Sequence, residues 1–443
     1  MEIAASVAII GAGCSGLTAI KNCLQAGINQ VVCFEKGDQL GGNWVFTAAE
    51  SHSSICETTH IISSKKLSEY IDFPMPDHYP DYPSHRQVLE YFQAYARHFE
   101  LAPYIRFNTA VEAAKPLPDG RWTLHLSDGS QQVFDYLMVA NGHHSAPKLP
   151  QFKGHFTGKI QHSHSFKNNQ TYAGQRVLVV GAGNSGCDCA VEISRVADRV
   201  AISMRRPYYI IPKFMMGRPT DTYNKLLVKL PQFLRKRLQR LSLWLQVGNY
   251  EDYGLQTPDY PITRCHPTLN TELLYKIRHG KVQPRRGIER VDGQQVHFED
   301  GTVEEFDVIM AATGYEINFP FFNKDLIDYS DAERIPLYLR MIHPDFKRLF
   351  FIGLVQPQGC VWPISDHQAK LAASHIAGRW PLPTDLRRRA EAEADDIARQ
   401  FITSKRHRLE IHYHPFIAQL QKLIPPQAPE WPQPKATQHP KIA

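Results

Sequence analysis

The chain has 443 residues, 43% of them hydrophobic and 21% charged, a composition ordinary for a globular protein and a length that buries a large core without staples. Fifty Lys and Arg against 44 Asp and Glu leave a net charge of +6, and no basic block dominates, which excludes a nucleic-acid-binding role. The 8 cysteines form no C-x-x-C pair, which excludes zinc ribbons and thioredoxin-type centres; they read as buried, reduced thiols of a cytoplasmic protein.

The N-terminus, MEIAASVAIIGAG, lacks a basic leader, so no signal peptide is expected. No window reaches about 18 consecutive apolar residues, so no transmembrane helix is expected. VAII reads as a strand, GAGCSG as a turn, LTAIKNCLQAG as a helix ending at Gly27, and QVVCFEK as a second strand: a βαβ unit. Ala48 to Pro83 reads as loops, and HRQVLEYFQAYARHF as an amphipathic helix. IRFNTAV, RWTLHLSDG and FDYLMVANG read as strands.

A second βαβ unit opens at Gln175 with RVLVVG, GAGNSG, CDCAVEISRVA and RVAISMRR. Residues 213–250 read as a helical insertion broken at Pro231, apolar on one side and basic on the other. Within it, 225–246 offers weak contact with a membrane surface or a partner, or else packs on its own protein. KVQPRRGIERV, QVHFEDG, FDVIMAATGY and RLFFIGL read as strands. A helix is expected from Ser365 to Ile376, with Ser365 and Gln368 as its capping box and Gly378 as its stop. RRRAEAEADDIARQ reads as a solvated helix with Arg387–Glu391 and Arg389–Glu393 pairs, and residues 425–443 as a Pro-rich tail.

Gly11, Gly13 and Gly16 form G-x-G-x-x-G between strand and helix. The first allows the tight turn, the second lets backbone approach a pyrophosphate, and the third lets helix pack on strand. The helix then offers free N–H groups to the phosphates. Glu35 ends the second strand, where a carboxylate accepts from ribose hydroxyls. Gly181, Gly183 and Gly186 repeat the design, but Arg205 or Arg206 stands where the acid would be. An arginine clamps a 2′-phosphate that an acid repels, so the second loop is expected to prefer NADPH. Two loops imply two nucleotides, most economically FAD on the first and NADPH on the second, with the flavin as a relay. Ser15, Asn184 and Ser185 in the loops, and Lys36 after Glu35, join the expected cofactor contacts.

Phe156-x-Gly158-x3-His162-x3-Phe166, just before the second loop, resembles the F-x-G-x3-H-x3-[FYW] fingerprint of class B flavin-dependent monooxygenases. GGNW (Gly41–Trp44), DFPMPDHYPDYP (Asp72–Pro83), GNSGCDCAVEIS (Gly183–Ser194), YGL (Tyr253–Leu255), HPT (His266–Thr268) and AATGY (Ala311–Tyr315) continue the likeness. Their order is most similar to the flavin-containing, N- and S-oxygenating branch. The resemblance implies an α/β protein of two dinucleotide-binding Rossmann-like domains, the NADPH domain inserted into the FAD domain. The expected limits are 1–163 and 312–424 for the FAD domain, with 164–311 between them. It further implies that Gly42 and Trp44 pass beside the flavin and that Thr313 sits in the linker returning to the FAD domain. The helix at Ser365 is expected to aim its positive end at the flavin. The resemblance also implies oxygen adding at the flavin C4a position, then passing to an amine nitrogen or a sulfur of a small molecule.

In the family the fingerprint segment is a structural linker, so His162 is not expected to be a base. A metal site of His143, His144, His162 and His164 is the other reading, and it lacks Cys or carboxylate partners at ligand spacing. No catalytic acid or base is named. One departure stands out: Ile62 occupies the position where many N- and S-oxygenating members carry asparagine. Ser63, Ser64 and His60 are the polar residues near enough to substitute for it. A Baeyer–Villiger oxygenase, an NADPH oxidase or flavin reductase releasing peroxide, and a flavin-binding sensor remain rival readings. The sequence carries no sign of oligomeric state.

Overall fold

The computed structural model describes residues 3–426 apart from 50, 228–230, 403, 405 and 406. Two five-stranded parallel sheets organise it. In the first, β1 (Ile3–Ile10) leads through helix α1 (Cys14–Gln25) to β2 (Ile28–Phe34). The strand order is Leu349–Phe351, Tyr136–Val139, β1, β2, Ile105–Arg106. Val7 to Ile10 are buried and pair in parallel with strands on both sides. A central parallel strand is covered on both faces, which is why it reads as a continuous apolar run rather than an alternating one.

The second sheet repeats this plan with β3 (Arg176–Val180), α2 (Asn184–Ile193) and β4 (Arg199–Ser203). Its order is Lys159–His162, Val308–Ala311, β3, β4, Gln283–Arg285. The second unit enters the chain between Tyr136–Val139 and Leu349–Phe351 of the first sheet, so the fold is one Rossmann-like unit inserted into another. Strands Gly154–Phe156 and Lys159–His162, on the N-terminal side of residue 163, pair with strands of the second unit.

Several local expectations change. Residues 213–219 are not helical: Phe214–Met215 and Arg218–Pro219 form a small antiparallel hairpin. Helix follows at Thr220–Leu227 and then in α3 (Gln232–Val247), with Pro231 at its N-cap. Among the expected loops of 48–83, Lys65–Ser68 makes one helical turn. Strands Gln131–Phe134 and Val303–Glu305, which the sequence reading did not include, each add an antiparallel edge strand to a sheet.

The largest revision concerns the helix α4, Val361–Ile376, which starts four residues before Ser365, with Cys360 at its N-cap. Pro363 fits the first turn because its missing N–H would have had no partner there. Ser365 is fully buried and its hydroxyl donates to Trp362 O at 2.8 Å, so it is no cap. Gln368 accepts from Gly353 N at 2.9 Å and donates to Leu339 O at 3.0 Å, tying the helix to two loops. Gly378, at φ 70°, does follow the C-cap. In the charged helix Leu386–Gln400, Arg387 meets Glu391 at 3.9 Å. Arg389 instead pairs with Asp385 at 2.7 Å, and Glu393 turns inward to accept from Leu339 N at 2.7 Å. Burial pushes the Glu393 carboxyl up to about 7. The expected Pro-rich tail lies, from residue 427 onward, outside the described residues.

Candidate functional site

The two glycine loops open on one cleft of about 1760 Å³, larger than the roughly 300–1000 Å³ of an ordinary small-ligand pocket. Gly11 sits at φ 98° and Gly181 at φ 104°, backbone that favours glycine. A Cβ on Gly16 would stand 1.8 Å from Gly11 O, and one on Gly186 1.9 Å from Gly181 O. Both third glycines thus let a helix start against its own loop. Gly13 abuts Gly42, where a Cβ would meet Gly42 Cα at 3.6 Å. The bare backbone of both loops leaves a cradle that side chains would fill. It fits the pyrophosphate of a dinucleotide, with the first turn of α1 or α2 supplying N–H donors.

The ends of β2 and β4 differ in charge. Glu35 is 5% exposed, and its carboxylate accepts from Ala12 N and Gly37 N, both at 2.8 Å. It is thereby fixed at the rim of the first loop and still lines the cleft, as does Lys36. Arg205 and Arg206 are exposed on the cleft wall beyond β4. A side pocket of about 40 Å³, lined by Arg206, Tyr208, Arg285 and Arg286, adjoins Arg206.

Of the residues expected to touch cofactors, Gly11, Gly13, Ser15, Glu35, Lys36, Gly42 and Trp44 line this cleft, as do Gly181, Gly183, Asn184, Ser185, Gly186, Arg205, Arg206 and Thr313. Gly16 does not; it lies behind the loop, where its missing side chain admits the turn. Trp44 meets Trp362 edge-on at 5.6 Å, so the Gly41–Trp44 loop and the start of α4 form one wall. Cys360, Val361 and Trp362 line the cleft, which puts the positive end of α4 on its surface, four residues earlier than expected.

The fingerprint segment ties the units together. Phe156 and Phe166 are buried, and a Cβ on Gly158 would meet Asp307 O at 2.5 Å. His162 Nδ1 accepts from His164 N at 3.0 Å, so its Nε2–H donates to Gly314 O, also at 3.0 Å. Both ring nitrogens are engaged, Nε2 with the return linker and Nδ1 within the fingerprint segment, and burial lowers the pKa of this imidazole. The Thr313 hydroxyl donates to Lys148 O in the same linker. Among the described residues no group of three His, Cys, Asp or Glu is placed to hold a metal ion.

Ile62 lines the cleft and is 39% exposed. Ser63 and His60 line it as well, but the Ser63 hydroxyl is shared with Ser68 at 2.8 Å and His60 Nδ1 with Thr58 O at 2.8 Å. Ser64 is not on the wall.

Two features escaped the sequence reading. Lys21 of α1, 2% exposed, reaches Asp72 at 2.6 Å and Asp366 of α4 at 2.9 Å. Burial alone would push this ammonium down, but Asp366 and Asp72 hold it above its ordinary value. The other is a histidine–glutamate contact between His266 and Glu410, separated by 144 residues. Neither has a local sequence signature, because each is made by distant segments.

A family model for flavin-binding monooxygenase-like proteins matches residues 4–434. The chain belongs to that family. It is similar to flavin-containing monooxygenase 5 of Mus musculus, 36% identical over 94% of this chain and 82% of that protein. It is likewise similar to the N-oxide-forming dimethylaniline monooxygenase 2 of Oryctolagus cuniculus, 35% identical over 86% of this chain and 75% of that one. Among solved structures, S-allyl-L-cysteine S-oxygenase from Allium sativum shares the fold, with TM-score 0.72, 22% identity, and coverage of 96% of this chain and 89% of that one. Open cyclohexanone monooxygenase shares it at TM-score 0.69 and 18% identity, over 94% of this chain and 97% of that one. As a family member the protein is a flavin-dependent NADPH monooxygenase that uses FAD and NADPH with oxygen and a small-molecule substrate. Among the described residues no helix is long and apolar enough to cross a membrane.

Proposed function

We propose that FAD lies on the Gly11–Gly16 loop and NADPH on the Gly181–Gly186 loop, and that the enzyme oxygenates an amine nitrogen or a sulfur of a small molecule. The observation that carries this is the pairing of two near-identical glycine cradles on one cleft, one edged by Glu35 and the other by Arg205 and Arg206. The relative named for forming N-oxides supports the substrate class. When bound, FAD supplies the relay of two electrons from NADPH to oxygen.

The protein's own part is to bind, orient and exclude water. Glu35 accepts from the FAD ribose, with Ser15 and Lys36 beside it. Arg205 and Arg206 take the 2′-phosphate of NADPH, helped by the Arg285–Arg286 side pocket. Asn184 and Ser185 sit at the start of α2, where free N–H groups face a pyrophosphate. Trp44 and the start of α4 wall the flavin ring, and Thr313 belongs to the linker between the two domains. We place the FAD domain in residues before Lys153 and after Ala311, with the NADPH domain between.

The test is NADPH consumption with product analysis on an alkyl aryl sulfide, N,N-dimethylaniline and a cyclic ketone. Sulfoxide and N-oxide formed in proportion to NADPH are expected. Lactone as the sole product would replace the reading with Baeyer–Villiger oxygenation, and peroxide as the sole product with an oxidase. The oxidase reading draws support from Ile62, which offers no hydrogen bond at the cleft wall.

α3 supports a further proposal, weak contact with an anionic membrane surface. Leu234, Leu238, Leu241, Trp244 and Leu245 are exposed at helical spacing, with Arg237 and Arg240 exposed on the same helix. Co-sedimentation with anionic vesicles, absent with neutral ones and lost in Trp244→Ser, is the expected result. All 8 cysteines are free, which fits a cytoplasmic location.

A further inference from the structure

His266 stands on the cleft wall where the inserted domain meets the returning chain of the first. Its loop is fixed from both sides. Thr268 donates to Ala182 O at 2.8 Å and Leu269 N to Asn184 Oδ1 at 2.8 Å, anchoring it to the second glycine loop. Gln358 donates to Cys265 O at 2.6 Å and Ile402 N to Arg264 O at 3.0 Å, anchoring it to the return segment. His266 Nδ1 lies 3.2 Å from Glu410 Oε2.

Glu410 is unusual for a glutamate. It is 0% exposed, and it sits in the two-residue strand Glu410–Ile411 paired with Gln356–Pro357. Its Oε1 has no hydrogen-bond partner, so His266 is the one group among the described residues that its carboxylate bonds. Buried carboxylates ordinarily persist only when paired. A carboxylate accepts and does not donate, so pairing with it calls for a hydrogen on Nδ1, which leaves Nε2 of a neutral ring with the lone pair. Nε2 makes no hydrogen bond to the protein among the described residues, and the ring lines the cleft. The other ionisable groups lining the cleft from elements packed around this loop include Arg264, Cys265, His144, His407 and Arg408, with Asp188 of α2 and Tyr208, Asp259 and Tyr260 of the neighbouring segments.

We propose that His266, held by Glu410, accepts the proton of a cationic amine substrate. This rests on the reading of the protein as an amine and sulfur oxygenase. An alkylamine is an ammonium ion near neutral pH, and its nitrogen has no lone pair with which to attack oxygen. In the step, the substrate N–H bond breaks and its electron pair stays on nitrogen. The proton forms a bond to His266 Nε2, and Glu410 balances the imidazolium. Nothing is oxidised or reduced in this transfer, and the freed amine is the nucleophile for oxygenation. Glu410 is a positioning residue, since it acts through the imidazole.

The experiment compares kcat/KM against pH for three substrates in the holoenzyme, His266→Gln and Glu410→Gln. The substrates are an aliphatic tertiary amine, N,N-dimethylaniline (a free base at neutral pH) and an alkyl aryl sulfide (no proton to lose). Near neutrality both variants are expected to lose about a hundredfold on the alkylamine and to keep activity on the other two within about twofold, as removal of a general base predicts. The alkylamine deficit is expected to shrink as pH rises toward the amine's own pKa, because free base then arrives from solution. Both glutamine variants keep a polar side chain and near-native volume, and the dimethylaniline and sulfide activities report that the protein is folded and loaded. Equal losses on all three substrates would overturn the proposal in favour of a purely structural pair, and so would an unchanged alkylamine profile. Failure of the unaltered enzyme to oxygenate any of the three would overturn the functional reading along with it.

Discussion

The first and second glycine loops share a backbone and differ in what stands at the end of the following strand. Their opening glycines take φ of 98° and 104°, and their third glycines would clash with loop oxygens at 1.8 and 1.9 Å. After β2 comes a buried carboxylate fixed by two backbone N–H groups; after β4 come two exposed guanidinium groups. The common part answers to what dinucleotides share, a pyrophosphate that needs bare backbone and helix N–H groups. The differing part matches, in the arrangement proposed above, what separates FAD from NADPH, a free ribose hydroxyl as against a 2′-phosphate.

The shared part breaks most severely. Gly16→Ala and Gly186→Ala each put a Cβ within 2 Å of a backbone oxygen that cannot rotate away. Each is expected to cost more than about 4 kcal/mol locally, the range reserved for strain and overpacking. The two losses should differ in kind. Gly16→Ala is expected to give protein without bound flavin, seen as absent yellow absorbance and a lowered Tm. Gly186→Ala is expected to keep flavin while losing reduction by NADPH. Loss of flavin from both would show that the loops are not assigned separately.

The differing part sharpens the comparison at intermediate cost. A hydrogen bond to a charged group contributes about 1.5–3 kcal/mol, so Arg205→Ala and Arg206→Ala should each raise the KM for NADPH by about tenfold or more. The KM for NADH should stay unchanged, since NADH carries no 2′-phosphate. An unaltered NADPH-to-NADH preference in both variants would remove the clamp from the mechanism.

How much of this was legible follows from how local each signal is. The strands and loops of both βαβ units read directly, because a parallel strand buried on both faces is a plain apolar run and the glycines mark its end. Ser84–Gln87 and Ser365–Gln368 show the limit. Both have the S-x-x-Q pattern, and in the structure only the first is a capping box, with Ser84 N donating to Gln87 Oε1 at 3.0 Å. The second is a buried stretch of mid-helix, because Gly353 and Leu339 provide partners for Gln368 that no local pattern reveals. His266 lay in a motif that could be quoted, yet its meaning depends on Glu410, which reaches it only through the fold. Likewise Glu393 sits in a charged repeat that reads as solvated, and it turns inward because Leu339 offers a backbone N–H.

Ile62 provides the smallest and finest test, since it lines the cleft on which both glycine loops open. Ile61 beside it is 3% exposed and belongs to the core, whereas Ile62 is 39% exposed and faces the cleft. A polar group there costs little stability, within about 0.5 kcal/mol for a surface position away from caps and cores. Ile62→Asn therefore isolates the effect of one added hydrogen-bonding side chain. Its neighbours are already engaged, Ser63 with Ser68 and His60 with Thr58, so the new amide would not duplicate them. One neutral hydrogen bond contributes about 1 kcal/mol, which predicts roughly a fivefold fall in hydrogen peroxide released per NADPH, with a matching rise in oxygenated product. NADPH affinity, which the proposed arrangement assigns to Arg205 and Arg206, should not change. An unchanged peroxide yield would mean that this enzyme excludes water by the shape of its cleft alone, and that the isoleucine at position 62 has no bearing on peroxide release.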